Sequence, residues 1–288
     1  MARIDERNPD GADGEWFIDE RCIGCGSSAS VAPELIVRRG EKYVFDRQPD
    51  GEAEIERAWL ARELCPTRSI GTETRTTKRD PYPHQEATGV YRCGHNDRAS
   101  FGAHSFFVTR PDGNLLIDSP RHTFKLAGPF DELGGLSRIL LTHRDDVADA
   151  EKWAEKFGAE VAIHQAERDA APFATRLLSE PVTDIAEGVQ AIAVPGHTAG
   201  SVVYLVDQTY LFTGDTLAWS HRREDLIAFR DATWFSWEAL TTSLRSLAEH
   251  RFEQIFAGHG ASSPRLDPAE MRRRLLALTD RMAATGPS

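Results

Sequence analysis

Four times between residues 138 and 260, a short apolar run ends in a histidine or aspartate flanked by glycine or threonine: "RILLTH", "AVPGH", "YLFTGD" and "IFAGH". Runs of this length, closed by turn residues, read as buried strands that stop at a sheet edge. His143, His197, Asp215 and His259 are therefore expected at strand ends facing one common edge. Imidazole and carboxylate together suit Zn²⁺, Fe or Mn²⁺, which take nitrogen and oxygen ligands. A lone strand-end histidine is more often structural. Four such positions in these turn contexts are poorly explained that way.

The surrounding pattern fits a layered domain. From Val90 onward short strands alternate with helices. "HSFFVTRPDGNLLIDSP" reads as a hairpin closed at Pro111-Asp112-Gly113, and "DVADAEKWAEKFG" as a helix ended by Gly158. "VQAIAVPGHTAGSVVYLVDQTYLFTGDTL" supplies three strands, "SWEALTTSLRSLAEH" an amphipathic helix and "PAEMRRRLLALTDRMA" a closing helix. Such mixing indicates an α/β layered fold. A hydrophobic content of 40% is that of an ordinary soluble protein, and a net charge of −11 argues against nucleic acid or an anionic membrane as partner. The first residues have no apolar signal-like core, and no run approaches the roughly 18 apolar residues of a membrane span. The expected location is cytoplasmic, where four cysteines are reduced thiols or metal ligands rather than disulfides.

"LLIDSP" with Asp118, "LTHRDD", "PGHTAGS", "TGDTL" and "AGHG" together resemble the metallo-β-lactamase fold superfamily over residues 90 to 262, and "PGHTAGSV" with "FTGDTL" its glyoxalase II-like branch. The resemblance implies an αββα sandwich with a Zn or Fe site of one or two ions at one edge of its sheets. It also implies ligands at His143, His197, Asp215 and His259, a catalytic part for Asp215, and Asp118 as a buttress of the loop. The departure lies in the Thr-His-x-His-x-Asp-His motif. Counted from His143, the second histidine position holds Asp145; counted from the helix start, Asp149 matches the aspartate and Ala150 replaces the last histidine. Flavodiiron members carry a carboxylate at the second position, and relatives with a ferredoxin-like lobe carry an "HRDDxADH" loop. Asp145, Asp146 and Asp149 are thus all candidate ligands, with Asp149 also a candidate catalytic group. Asp145 and Asp146 also stand where a helix N-cap belongs. A loaded site generates metal-bound hydroxide near neutral pH, which attacks an ester, thioester or similar carbonyl of a small-molecule substrate. The missing nitrogen at position 150 implies a weakly held second ion.

"RCIGCGSS" and "LCPTRSI" resemble a single-cluster bacterial-type ferredoxin over residues 16 to 71. Cys22, Cys25 and Cys65 match the family's cluster ligands and Ser28 stands in the third position. The resemblance implies a small α+β ferredoxin-like domain holding a [3Fe–4S] cluster, a [4Fe–4S] cluster completed by Ser28 or water, or no cluster. Cys93 can serve only if the domains pack closely. The expected organisation is a flexible stretch at 1–15, the ferredoxin-like domain at 16–75, a linker at 76–89 and the metallo-β-lactamase-like domain at 90–288. Three functions compete: a metallohydrolase with a depleted lobe, an iron-containing protein fed electrons by a redox partner through the lobe, and a non-catalytic binding module. Trp234 and Trp237 are candidate apolar contacts near the site, and His164 is read as structural.

Overall fold

A computed structural model describes residues 2–74 and 80–285. Its larger part is two sheets packed face to face with helices on both outer faces. The seven-stranded sheet runs, in space, through Arg176–Leu178, Glu160–His164, Arg138–Leu140, Leu115–Ile117, Phe106–Val108, Val90–Arg92 and His84–Ala87. The five-stranded sheet runs through Val182–Ala186, Val189–Ala193, Val202–Val206, Tyr210–Gly214 and Gln254–Ala257.

Strand periodicity builds the layers. Phe106, Val108, Leu115, Ile117 and Leu140 point between the sheets and meet Val202, Tyr204, Phe212 and Phe256 from the other side. The alternate residues Phe107, Leu116, Ile139 and Leu141 face outward onto Leu126, Phe130 and Trp153 of the helices Phe124–Glu132 and Ala150–Phe157. On the opposite face Val203, Leu205, Leu211 and Ile255 pack on Leu240, Leu244, Met271 and Leu275 of Trp237–Leu247 and Pro268–Ala284. Side chains alternating at period two thus bury both faces of each sheet, which is why these strands read as continuous apolar runs. This is the αββα sandwich expected from the sequence.

The smaller lobe has its own core. Trp16–Ile18 pairs antiparallel with Ile70–Thr72, and Ile36–Arg39 with Lys42–Phe45. Trp16 and Phe45 from the strands pack with Leu35 and with Ala58 of the helix Glu52–Leu64 to form that core. Two expectations change here. Residues 2–15, expected to be loose, are tied down: Arg3 N donates to Asp19 Oδ2 at 2.8 Å, Ala12 N to the Phe45 carbonyl at 2.8 Å, and Arg7 Nη1 to Glu73 at 2.7 Å. Of the expected linker, 76–79 lie outside the described residues, while His84–Ala87 forms the edge strand of the large sheet. Its polar "HQEA" suits an edge that faces solvent and therefore carries no apolar pattern.

The lobe is fastened to the sandwich. Ser27 Oγ donates to the Gly102 carbonyl at 2.5 Å, Ser30 Oγ lies 2.9 Å from His104 Nε2, and Tyr82 Oη donates to the Leu60 carbonyl at 3.2 Å. Gly102 has φ +84°, and a side chain there would meet Cys25 Sγ at 2.9 Å, so glycine permits this approach.

Trp153 is fully buried between sheet and helix, and its Nε1 donates to the Pro120 carbonyl at 3.0 Å. Trp153→Ala should lower the unfolding free energy by about 3–5 kcal/mol in guanidinium titration, the usual cost of emptying an aromatic site. A loss under about 1 kcal/mol would show that this layer is not packed as described.

Candidate metal centre

The site is assembled from strand ends. The strand Arg138–Leu140 runs into Leu141-Thr142-His143, and a single turn at Arg144–Asp146 follows. His197 follows Gly196, Asp215 leaves the strand Tyr210–Gly214, and His259 leaves Gln254–Ala257. Glycines let these turns interlock. A β-carbon on Gly214 would lie 2.4 Å from Thr142 Oγ1, and one on Gly258 would lie 2.7 Å from Asp215 Oδ1 and 3.2 Å from Asp146 Oδ2.

The ligand atoms converge. His143, Asp145 and His197 bring one atom each within 4.8 Å of one another, and His143, Asp146 and Asp215 do the same. Asp215 Oδ2 lies 3.8 Å from His143 Nε2, 3.8 Å from His197 Nε2 and 3.6 Å from His259 Nε2. None of these is a hydrogen bond, yet His143 Nε2, His197 Nε2, Asp215 Oδ1 and both oxygens of Asp146 are buried without partners. Several buried polar atoms with no partner, all aimed at one place, are costly unless a cation joins them.

The second ring nitrogens show how the donors are held. His197 Nδ1 lies 2.5 Å from the Ala232 carbonyl, which only accepts, so Nδ1 carries the proton and Nε2 presents a lone pair. Thr142 Oγ1 lies 2.9 Å from Asp118 Oδ2 and 3.0 Å from His143 Nδ1. The hydroxyl gives its proton to Asp118 and so accepts from His143 Nδ1, which frees His143 Nε2 in the same way. Asp118 is thus a buttress, and its φ of +54° turns it under the Thr142 backbone. Thr142 and the Ala232 carbonyl escaped the sequence reading. The threonine directly before His143 was the visible signal for the first; nothing local marks the second.

Burial draws His143 down to about 4, so it is neutral at pH 7, as a ligand must be. His197 moves the other way: burial opposes its charge, but Asp145 and Asp215 favour it and prevail. Asp145 is lowered, chiefly by His197 at 3.7 Å. Asp146 is pushed well up by burial, with Asp215, Asp118 and Asp145 adding repulsion, and burial lifts Asp118 to about 8.

Asp149 is a correction. Its Oδ2 accepts from the His122 backbone N–H at 2.8 Å and its Oδ1 from Lys152 Nζ at 2.7 Å, and it is in neither group of convergent donors. Asp146 points inward instead. Ala150 is fully buried in the helix–sheet core with Trp153.

In the smaller lobe Cys22, Cys25 and Cys65 border one cavity of about 20 Å³ together with Ser28 and Tyr43. Three thiols match three corners of an iron–sulfur cluster. The fourth corner is not matched: the Ser28 hydroxyl donates to the Ala61 carbonyl at 2.9 Å. Cys93 lies in the sandwich core and burial pushes its thiol up to about 12.

Residues 90–278 match the metallo-beta-lactamase superfamily, and residues 18–72 match the 4Fe-4S single cluster domain of ferredoxin I. The chain belongs to the metallo-beta-lactamase superfamily. It is 40% identical over 120 residues to the hydroxyacylglutathione hydrolase of Acidiphilium cryptum, covering 40% of this chain and 46% of that protein. A probable polyketide biosynthesis zinc-dependent hydrolase, BaeB of Bacillus velezensis, is 39% identical over 111 residues, 36% of this chain and 49% of that one. The chain thus spans about half the length of the curated relatives it matches. Among solved structures, the mono-zinc form of the FIM-1 metallo-beta-lactamase from Pseudomonas aeruginosa superposes with TM-score 0.53 at 18% identity, over 70% of this chain and 95% of that one. TMB-1 superposes with TM-score 0.55 at 14% identity, over 69% and 97%. These likenesses show the fold.

Without metal, Asp118 and Asp146 bind protons more tightly folded than unfolded, so stability falls as pH rises from the ordinary carboxylate value of 3.8 toward about 8. In chelator, Asp146→Asn should therefore melt above the parent at pH 8, with the gap closing toward pH 4. One pKa unit is about 1.4 kcal/mol, roughly 2–4 °C for a chain of this size. Equal or lower melting of the variant at pH 8 would contradict the buried, unpartnered carboxylate.

Proposed function

We propose that the chain is a metal-dependent hydrolase of ester or thioester carbonyls, with the ferredoxin-like lobe acting as a wall of its substrate cavity. One observation carries this reading: the unpartnered donors of His143, His197, Asp146 and Asp215 lie beside a cavity of about 1090 Å³ that both lobes line. Zn²⁺ or Fe bound there supplies Lewis acidity and acidifies water near neutral pH. His143, Asp145 and His197 would form one ligand set; His143, Asp146 and Asp215, with His259 3.6 Å from Asp215, would form a second that shares its edge.

The protein's own groups do the positioning. Asp118 and Thr142 fix the His143 ring, and the Ala232 carbonyl fixes that of His197. Asp215 Oδ2, facing three imidazoles, is placed to orient water and to hold a proton in turnover. Ile23 and Tyr43 of the lobe, with Phe101, Trp219, Phe229 and Trp234 of the sandwich, give the acyl or thiol portion apolar walls. Among the Trp candidates, Trp234 lines the cavity, while Trp237 Nε1 donates to the Met282 carbonyl at 3.2 Å in the helical layer. The similarity to hydroxyacylglutathione hydrolases supports a thioester of a small thiol as substrate.

Cys25 borders both the large cavity and the small thiol cavity, so the cysteine loop is part of the substrate wall. The lobe then acts through shape and carries no electrons. Anaerobic reconstitution with iron and sulfide should leave the protein without the broad absorption near ~400 nm that thiolate-bound clusters give. A stable brown protein would favour the redox reading instead.

With Zn²⁺ or Fe²⁺ supplied, hydroxyacylglutathione or a simple aryl thioester should be hydrolysed. Thr142→Val, which keeps the side chain's shape and removes the hydroxyl, should cost roughly 10–100-fold in metal affinity or kcat/KM. No turnover of any ester or thioester by the loaded protein would sink the proposal. Undiminished activity in Thr142→Val would remove the positioning role.

A further inference from the structure

This acidic chain carries a second cavity whose lining has the opposite sign. A cleft of about 380 Å³ at the junction of the two lobes is lined by Arg62, Arg68, Arg121 and Lys125, and Glu63 is the one carboxylate among its described lining residues. It shares no lining residue with the cavity of the metal centre.

Two of the four cations face a carboxylate. Arg62 Nη1 donates to Glu63 at 2.7 Å, and Lys125 Nζ lies 2.9 Å from Asp80. Arg68 and Arg121 come close enough for Arg68 to disfavour the charge on Arg121, which burial already lowers. Asp97 and Glu63 act on Arg121 in the other direction, and its Nε donates to the Asn96 carbonyl at 3.1 Å. Two guanidinium groups lining one cavity can together grip an anion.

A helix start adds to this. The helix Phe124–Glu132 begins at the cleft with Thr123 at its N-cap, yet Thr123 makes no capping bond, and its Oγ1 is buried without a partner. The first turn holds no acidic residue and includes Lys125. Helix starts normally recruit negative charge, so the first turn here leaves that place to a ligand. His122 Nε2, also on the cleft lining, is buried without a partner. Phe124, at the lip, is 94% exposed.

A cation is the competing occupant. Glu63, Asp80 and His95 can bring ligand atoms within 4.8 Å of one another. Those carboxylates already face Arg62 and Lys125, however, so a metal would have to displace two ion pairs.

We propose that this cleft binds a phosphate-bearing small molecule with a flat aromatic group, of the nucleoside diphosphate class. Arg68 and Arg121 grip the phosphates, Thr123 Oγ1 and the first-turn N–H groups cap them, and Phe124 stacks on the ring. The site is independent of the hydrolase reading.

Isothermal titration of the full chain with ADP, pyrophosphate and adenosine tests it. ADP and pyrophosphate should bind and adenosine should not, with ADP tighter. Arg68→Glu alters an exposed side chain and should weaken ADP at least roughly tenfold, with an unchanged melting temperature in buffer. Phe124→Ala should bring ADP to the affinity of pyrophosphate. His197→Ala, at the metal centre, should bind ADP as the parent does. No binding at millimolar ADP would overturn the site. So would binding that survives Arg68→Glu but vanishes in His197→Ala, which would place the anion at the metal centre. Mn²⁺ binding abolished by Asp80→Asn, with no ADP binding, would overturn it in favour of a cation site.

Discussion

Buried carboxylates without a counter-charge are the constraint on which the rest of this structure turns. Asp118 and Asp215 each follow a strand and Asp146 closes the turn after His143, and the two buried carboxylates that are raised owe their shift first to burial. Of the imidazoles beside them, His143 does not neutralise the cluster, because burial draws it down to about 4, while Asp145 and Asp215 favour the charge of His197. Coulomb repulsion in a low-dielectric setting is expensive, and the fold tolerates it only where something else supplies the positive charge. The free Nε2 atoms and the carboxylates would together hold a divalent cation, which would replace the missing hydrogen bonds.

The scaffold holds the donors in place before any cation arrives. Two sheets with both faces buried fix the strand ends, glycines at 214 and 258 let the turns interlock, and hydrogen bonds to Nδ1 set the orientation of two histidine rings. The small lobe then encloses the space above. Its attachment through Ser27, Ser30 and Gly102 brings the cysteine loop to the same cavity that His197 and Asp215 line. Ser28 in place of a third cysteine is compatible with a cavity wall, because a wall needs shape where a cluster needs ligands.

Much of this was legible in the residues. Apolar runs ending in His143, His197, Asp215 and His259 announced both the sandwich and its polar edge, because a buried strand has few reasons to finish in such a residue. The loop after His143 was not legible. Three aspartates within five positions differ in sequence only by register, and whether a carboxylate points into the site or holds a helix start depends on the turn at Arg144–Asp146, which no periodicity encodes. Asp149 therefore looked like a ligand, while its hydrogen bonds go to His122 and Lys152. The edge strand His84–Ala87 was hidden for a different reason: a strand exposed at a sheet edge has no apolar face to display. The ties of residues 2–15 to the lobe are made by backbone groups and a few charged side chains, and these leave no pattern in composition.

The most direct test of a cation at the centre is elemental analysis of the untagged protein after growth with zinc or iron and exhaustive dialysis. About one to two ions per chain are expected, as two ligand sets sharing an edge would hold, with the content falling sharply in His143→Ala. Metal-free protein that refuses Zn²⁺, Fe²⁺ and Mn²⁺ alike would contradict the central claim.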